Sequence, residues 1–307
     1  MKWPLRQSQR RAIINALNSI AQGAPPLLGL GGAAERRALS MQIVASLRRD
    51  DYFRIIQERG PISSSRADPS DPAFEAELGV VYYLQTNQVD EAAWLIFLMV
   101  YLAKPEAGWQ RLQGIYGKLG AGLWNWAAVS ENPAAFDQWL ATNWTQIPGQ
   151  FGNHRKYQSL DPAANYSMGP VVVHYVSWVQ QGGGHEKHFA AIVRGAGNDP
   201  HTIFDAFFNV LPLRGFGRLG RFDWAAMLAR YKLIPAEAGK AYFEGATGPA
   251  AGARLLFLGS RTAKASNKQL QGLMDELDSN LHVGMQVLED AICNWQKSPQ
   301  KFVHFKG

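Results

Sequence analysis

Residues 199–231 read DPHTIFDAFFNVLPLRGFGRLGRFDWAAMLARY, a pattern of helix, tight glycine turn and helix. Asp199 and Pro200 are start signals, and Ile203, Phe204, Phe207, Phe208 and Leu211 give the first helix one apolar face. Pro212 and the glycines at 215, 217 and 220 stop it. Phe222, Ala226, Leu228 and Ala229 restart a helical pattern, with Arg214, Arg218 and Arg221 crowded around the glycines. Backbone N–H groups at a glycine turn that opens a helix attract anions, and three arginines make phosphate the expected one. The competing reading is a glycine-rich interhelical loop with solvated arginines.

The turn resembles the helix-hairpin-helix element of the helix-hairpin-helix DNA glycosylases: Leu213, Gly215, Phe216 and Gly217 match its Leu-x-Gly-apolar-Gly core. That element grips the DNA backbone beside the lesion, so the resemblance implies DNA contact through Arg214, Gly215, Gly217, Arg218 and Arg221. Arg221 departs from the pattern, standing where a small residue usually packs the hairpin.

At 307 residues and 47% hydrophobic content the chain can bury a large core, which excludes a disordered protein. Its net charge of +6 favours an anionic partner such as nucleic acid. Cys293 is the only cysteine, which excludes internal disulfides and four-cysteine metal sites and suits a reducing cytoplasm. The N-terminus lacks the apolar stretch of a signal peptide, and the longest apolar run, 92–103, is too short to span a bilayer. No membrane association is expected.

The periodicity predicts a mainly α-helical fold. Helices are expected at 5–22 and 34–58, giving an N-terminal helical segment over 1–60, with a linker at 61–72 (ISSSRADPSDP from Ile62) and the remaining region over 73–307. Two packed helices follow at 74–85 and 90–103, the second apolar nearly all round and so central to the core. Trp109, Trp124, Trp126, Trp139 and Trp144 invite base stacking, although core packing is the expected role for most. Asn153, His154, Arg155, Lys156 and Tyr157 form a polar turn that either holds phosphate and a base or sugar edge, or is a solvated basic loop.

Residues 171–181 read as an apolar helix with His174 facing the core, and HEKH at 185–188 has no obvious third ligand, so no metal site is expected. The glycines of AYFEGATGPAAGARLLFLG (241–259) indicate backbone that approaches something closely. One last helix over about 268–297 would align Gln286, Asp290, Asn294 and Lys297 as a polar line.

Three segments, FGNHRKYQSL (151–160), FEGATGPAAGARLLF (243–257) and GMQVLEDAICNWQKS (284–298), resemble the third clade of the alpha-glutamyl/putrescinyl thymine pyrophosphorylase family, the likeness running from about residue 75 to the C-terminus. It implies a helix-hairpin-helix glycosylase-like fold, double-stranded phage DNA with hypermodified pyrimidines as partner, and a base flipped into a pocket. Asn294 and Lys297 join the 153–157 turn as expected pocket residues. Excision needs a carboxylate to stabilise charge on the deoxyribose and orient water. Counting the family's spacing of twenty positions from Gly217 leads to Glu237; Asp223, ranked equally, and Glu244 are the other candidates. Leu219 stands where lyase members of the glycosylase family carry a lysine, which implies a monofunctional enzyme that needs no cofactor. The expectation is excision of a bulky modified base in antiphage defence. The alternatives are a transferase displacing pyrophosphate from 5-pyrophosphoryloxymethyl-uracil with an amine, and a non-catalytic reader of modified DNA.

Overall fold

A computed structural model describes residues 3–21, 23–155 and 157–305. The fold is mainly helical, with no strand among the described residues. The helices are α1 (Gln7–Ile20), α2 (Ala33–Gln57), α3 (Ala76–Gln85), α4 (Val89–Leu102) and α5 (Gln110–Tyr116). Next come α6 (Trp126–Glu131), α7 (Pro133–Asn143), α8 (Met168–Gln181), α9 (His185–Ala196) and α10 (Pro200–Val210). The chain continues with α11 (Arg218–Arg230), α12 (Gly248–Leu258), α13 (Asn267–Leu281) and α14 (Met285–Trp295). No described helix is long and apolar enough to cross a membrane.

The chain forms two compact units, residues 1–52 with 237–305 and residues 53–236. Residues 61–72 lie inside the second unit. Despite its loop-like composition, that stretch folds into a 3-10 turn at Ser64–Arg66, capped by Ser63. Arg66 donates to the Ala73 carbonyl at 3.0 Å, which ties the turn to the chain entering α3.

In the first unit α1 and the start of α2 bury Ile13, Leu17, Leu39 and Ile43 with Leu256, Leu288 and Trp295 of α12 and α14. The glycines of α12 answer the question their spacing raises. A Cβ on Gly252 would lie 2.5 Å from the Ile292 carbonyl oxygen, and one on Gly248 would lie 2.6 Å from Cys293 Sγ. The closely approached partner is therefore α14, and bare glycine surfaces let the two helices meet backbone to backbone. The single helix expected over 268–297 is two, α13 and α14. His282 at φ 50° and Gly284 at φ 88° are left-handed and end α13, with Asp278 accepting from the Val283 and Gly284 amides at 3.1 and 2.9 Å.

The second unit is built on α4, whose residues from Ala92 to Leu102 are all buried. Its apolar circumference is covered by α3, α9 and α11. Aromatic rings fill the space around it: Phe97 stacks on Tyr175 with centroids 3.9 Å apart, and Trp94 donates its indole N–H to the Trp124 carbonyl at 2.8 Å. Trp109, Trp124 and Trp126 are buried in this core, while Trp139 and Trp144 are half-buried. His174 is exposed, contrary to the sequence reading. Residues 170, 174, 177 and 181 recur on the outer face of α8, whereas Val172, Tyr175, Val176 and Val179 form its inner face.

Candidate functional site

Helices α10 and α11 form the hairpin that the 199–231 stretch predicts, both in the second unit. Asp199 caps α10 by accepting from the Thr202 amide at 2.8 Å, and Phe204 and Phe207 anchor it in the core. In the turn, Leu213 and Phe216 point inward while Arg214 and Gly217 are exposed. Phe216 stacks against Phe97 and Tyr101 of α4, so the apolar position of the motif is a core anchor that holds the turn's backbone outward. Gly215 is needed for its left-handed φ of 77°. Gly220 is needed because a Cβ there would lie 3.0 Å from the Phe216 ring.

Helix α11 begins at Gly217 without any side-chain cap, unlike α10 and α13. Its first-turn amides and positive dipole end are thus left for solvent or an anion. The three arginines differ. Arg214 is exposed at the tip, Arg218 lies over the Phe222 ring at 4.8 Å, and Arg221 has its Nε shut from solvent without an acceptor.

The 152–167 loop closes on this hairpin. Gly152 donates to the Leu102 carbonyl at 2.8 Å, fastening the loop to the C-terminal end of α4. The Arg155 side chain, almost wholly buried, donates from Nε to the Val100 carbonyl at 2.8 Å and from Nη2 to Asp223 Oδ2 at 2.7 Å. One guanidinium thus satisfies an end carbonyl of α4 and holds a carboxylate of α11. Asp223 is about one-third exposed, so its carboxylate, though paired, is partly accessible to solvent. Gln158 donates to the Gly215 carbonyl at 3.2 Å, and the Tyr166 ring would press within 3.2 Å of a Cβ on Gly215. Gln158 and Tyr166 have no periodic or charge signal that would have marked them; only the fold brings them to the turn.

The remaining expected residues fall elsewhere. Asn153, His154 and Tyr157 are exposed on the loop, His154 in left-handed backbone at φ 66°. Lys156 lies outside the described residues. Glu237 and Glu244 are exposed on irregular segments of the first unit. Asn294 and Lys297 are also in that unit, where Lys297 donates to Asn294 Oδ1 at 3.1 Å and Asn294 donates to Asp290 Oδ1 at 2.9 Å. Arg49 pairs with the other oxygen of Asp290, so the polar line of α14 is largely spent on internal bonds. Of the three candidate carboxylates, Asp223 is the one that shares a unit with the hairpin.

A second polar network, which the sequence reading did not single out, supports the core. Adjacent carboxylates on α4 cap two helices. Asp90 accepts from the His185 amide at 2.6 Å at the start of α9, and Glu91 accepts from the Trp126 amide at 2.7 Å at the start of α6. The His185 ring is fully buried between Asp90 at 2.9 Å and the Tyr175 hydroxyl at 2.8 Å. Hydrogen bonding from His185 holds Asp90 below the usual carboxylate range, while burial keeps His185 below the usual imidazole range. Burial pushes Glu91 up, and it pushes the Tyr83 hydroxyl, bonded to Tyr116, up to about 12. Asp90 and Glu91 are thus engaged in helix capping.

Comparison with curated proteins and with solved structures returns no match. The model of the alpha-glutamyl/putrescinyl thymine pyrophosphorylase family, clade 3, matches residues 34–307. That span includes the hairpin, the 152–167 loop and every candidate site residue. The chain therefore belongs to clade 3 of the alpha-glutamyl/putrescinyl thymine pyrophosphorylase family, a clade acting on modified bases of DNA.

Proposed function

We propose that the protein is a monofunctional DNA glycosylase that takes a bulky modified pyrimidine, such as glucosylated hydroxymethylcytosine, out of the duplex and hydrolyses its N-glycosidic bond in antiphage defence. The observation that carries this reading is the Arg155–Asp223 pair beside the hairpin, a partly exposed carboxylate fixed by a buried guanidinium. In this mechanism the uncapped start of α11, Arg214 and Arg218 hold backbone phosphates. The bond from C1′ to the base breaks with its electron pair leaving on the base. Asp223 stabilises the positive charge that develops on the deoxyribose and orients a water, whose oxygen bonds to C1′ and whose proton is released, leaving an abasic site. With Leu219 in the position of the lyase lysine, no amine is available there for strand cleavage.

The same pair weighs against a pyrophosphate pocket in the 153–157 turn, because Arg155 is already committed to Asp223 and the Val100 carbonyl. A second reading keeps its place for one reason: the family is named for pyrophosphorylase chemistry on thymine. In that reading an amine attacks the 5-methylene carbon of 5-pyrophosphoryloxymethyl-uracil and pyrophosphate leaves.

One experiment separates them. Purified protein is incubated with phage DNA carrying glucosylated hydroxymethylcytosine and with unmodified DNA, followed by abasic-site labelling and mass analysis of released bases. Free modified base in step with abasic sites supports the glycosylase. No release, with amine incorporation and free pyrophosphate on pyrophosphorylated DNA, replaces it with the transferase. Binding of modified DNA without either product makes the protein a reader.

A further inference from the structure

The first unit holds a feature that neither reading uses. Between Glu244 and Asp275 the chain has no carboxylate side chain, yet it carries Arg254, Arg261, Lys264 and Lys268. Where α12 ends and α13 begins, this stretch folds around an open cleft of about 620 Å³ lined by Arg254, Arg261, Thr262, Lys264, Ser266 and Gln269 among others. Three cations and two hydroxyls face the space, and no acidic residue lines it.

Arg261 is held in place by donating to the Gln296 carbonyl, while Arg254 and Lys264 have no acidic partner among the described residues. The end of α13 is not itself the attraction. Ser266 and Gln269 close a capping box there, Ser266 Oγ accepting from the Gln269 amide at 3.2 Å and Gln269 Oε1 accepting from the Ser266 amide at 2.9 Å. The cleft's pull on anions is therefore the side-chain charge.

We infer that this cleft is a second phosphate-binding site, and that it takes backbone phosphates of duplex DNA. The identity of the phosphate source rests on the DNA reading above. Openness decides between a polymer and a small anion. A free phosphate or diphosphate is held by enclosing it and replacing its hydration, whereas Arg261 and Lys264 are exposed. Solvated cations gain from a polyanion instead, because each neutralised phosphate releases condensed counterions. The Thr262 hydroxyl suits a phosphate oxygen and carries no base selectivity, while the Ser266 hydroxyl is spent on Gln269 in the capping box.

The test measures binding of the full chain to a fluorescein-labelled unmodified duplex by anisotropy, between ~50 and ~200 mM salt. Unmodified duplex offers no base to excise, so this result stands whether or not any base is released. Arg254→Gln with Lys264→Gln is expected to make the slope of log affinity against log salt shallower by about 1.8, two phosphates' worth. Arg254→Lys with Lys264→Arg is expected to keep the wild-type slope. Lys187→Gln with Arg194→Gln, exposed on α9, removes the same charge elsewhere and is expected to leave the slope unchanged. Lys264→Gln alone, on an exposed loop, gives a shift of about 0.9 and serves if the double variant does not fold. An unchanged slope in the cleft variants, an equal change in the α9 pair, or a wild type without salt-dependent binding overturns the site. Titration with inorganic pyrophosphate is the last arm: tight binding lost in the cleft variants while DNA binding persists overturns the DNA assignment in favour of a small anion.

Discussion

Arg155 and Asp223, 68 positions apart in the chain, meet at 2.7 Å, and the same guanidinium bonds the Val100 carbonyl at the end of α4. The pair couples a core helix, a surface loop and the second helix of the hairpin through one side chain. Its consequences separate catalysis from stability.

Asp223→Asn keeps an acceptor for Arg155 but removes the negative charge. Base release from modified DNA is expected to fall by about a hundredfold or more, with duplex affinity unchanged. Glu237→Gln and Glu244→Gln are expected to leave release intact. Single-turnover release and anisotropy on the same preparations check this. Full release by the Asp223 variant together with loss in Glu237→Gln would transfer the role to Glu237.

Arg155→Ala strands the Val100 carbonyl and Asp223 at once. Loss of a fully buried pair by removing one partner costs roughly 3–5 kcal/mol. Asp223 is one-third exposed, so the expected loss is smaller, about 2 kcal/mol. Arg155→Lys recovers only part, because an ammonium lacks the fork that reaches both acceptors together. Urea unfolding of the three proteins reads the order wild type, lysine, alanine.

Arg214→Gln with Arg218→Gln is expected to weaken duplex binding for every sequence and to reduce its salt slope by about 1.8. An unchanged slope would remove the hairpin from the DNA interface and leave it a structural turn.

Gly215→Ala places a Cβ in left-handed backbone and 3.0 Å from Tyr166. The expected loss is about 1–2 kcal/mol, seen as a lower urea midpoint at an unchanged m-value.

Stability should depend on pH through His185. Its folded pKa is depressed by burial, so unfolding takes up a proton once the pH is below the ordinary value of about 6.5. The neutral ring's contribution is present above that pH and is lost as pH falls toward the folded value, by up to about 1.4 kcal/mol per pH unit. Asp90, also depressed, acts in the same sense only below about pH 4. Thermal melts from pH 7.5 to 5.5 are expected to fall more steeply for wild type than for His185→Asn. Equal slopes would mean that the buried imidazole does not govern this range.

The sequence by itself determined the helical class, α4 as the central buried helix, and the α10–turn–α11 hairpin with Phe216 between its glycines. It did so because periodicity, caps and glycine stops act over a few residues and are written locally. It also carried the family, through three long segments. Other features had no local signature. By sequence His174 lies in an apolar run and His185 in a glycine-rich polar one, yet packing puts the first on the outer face of α8 and buries the second between Asp90 and Tyr175. The glycines of α12 announce a close approach, but only the fold names α14 as the neighbour. Arg155 reads as one more cation in a basic turn, yet tertiary structure buries it and pairs it with Asp223. Ion pairs and buried contacts join residues that the chain keeps far apart, and their partners depend on how helices pack. Thus the hairpin was legible in the sequence, whereas the carboxylate fixed beside it was decided by the tertiary structure.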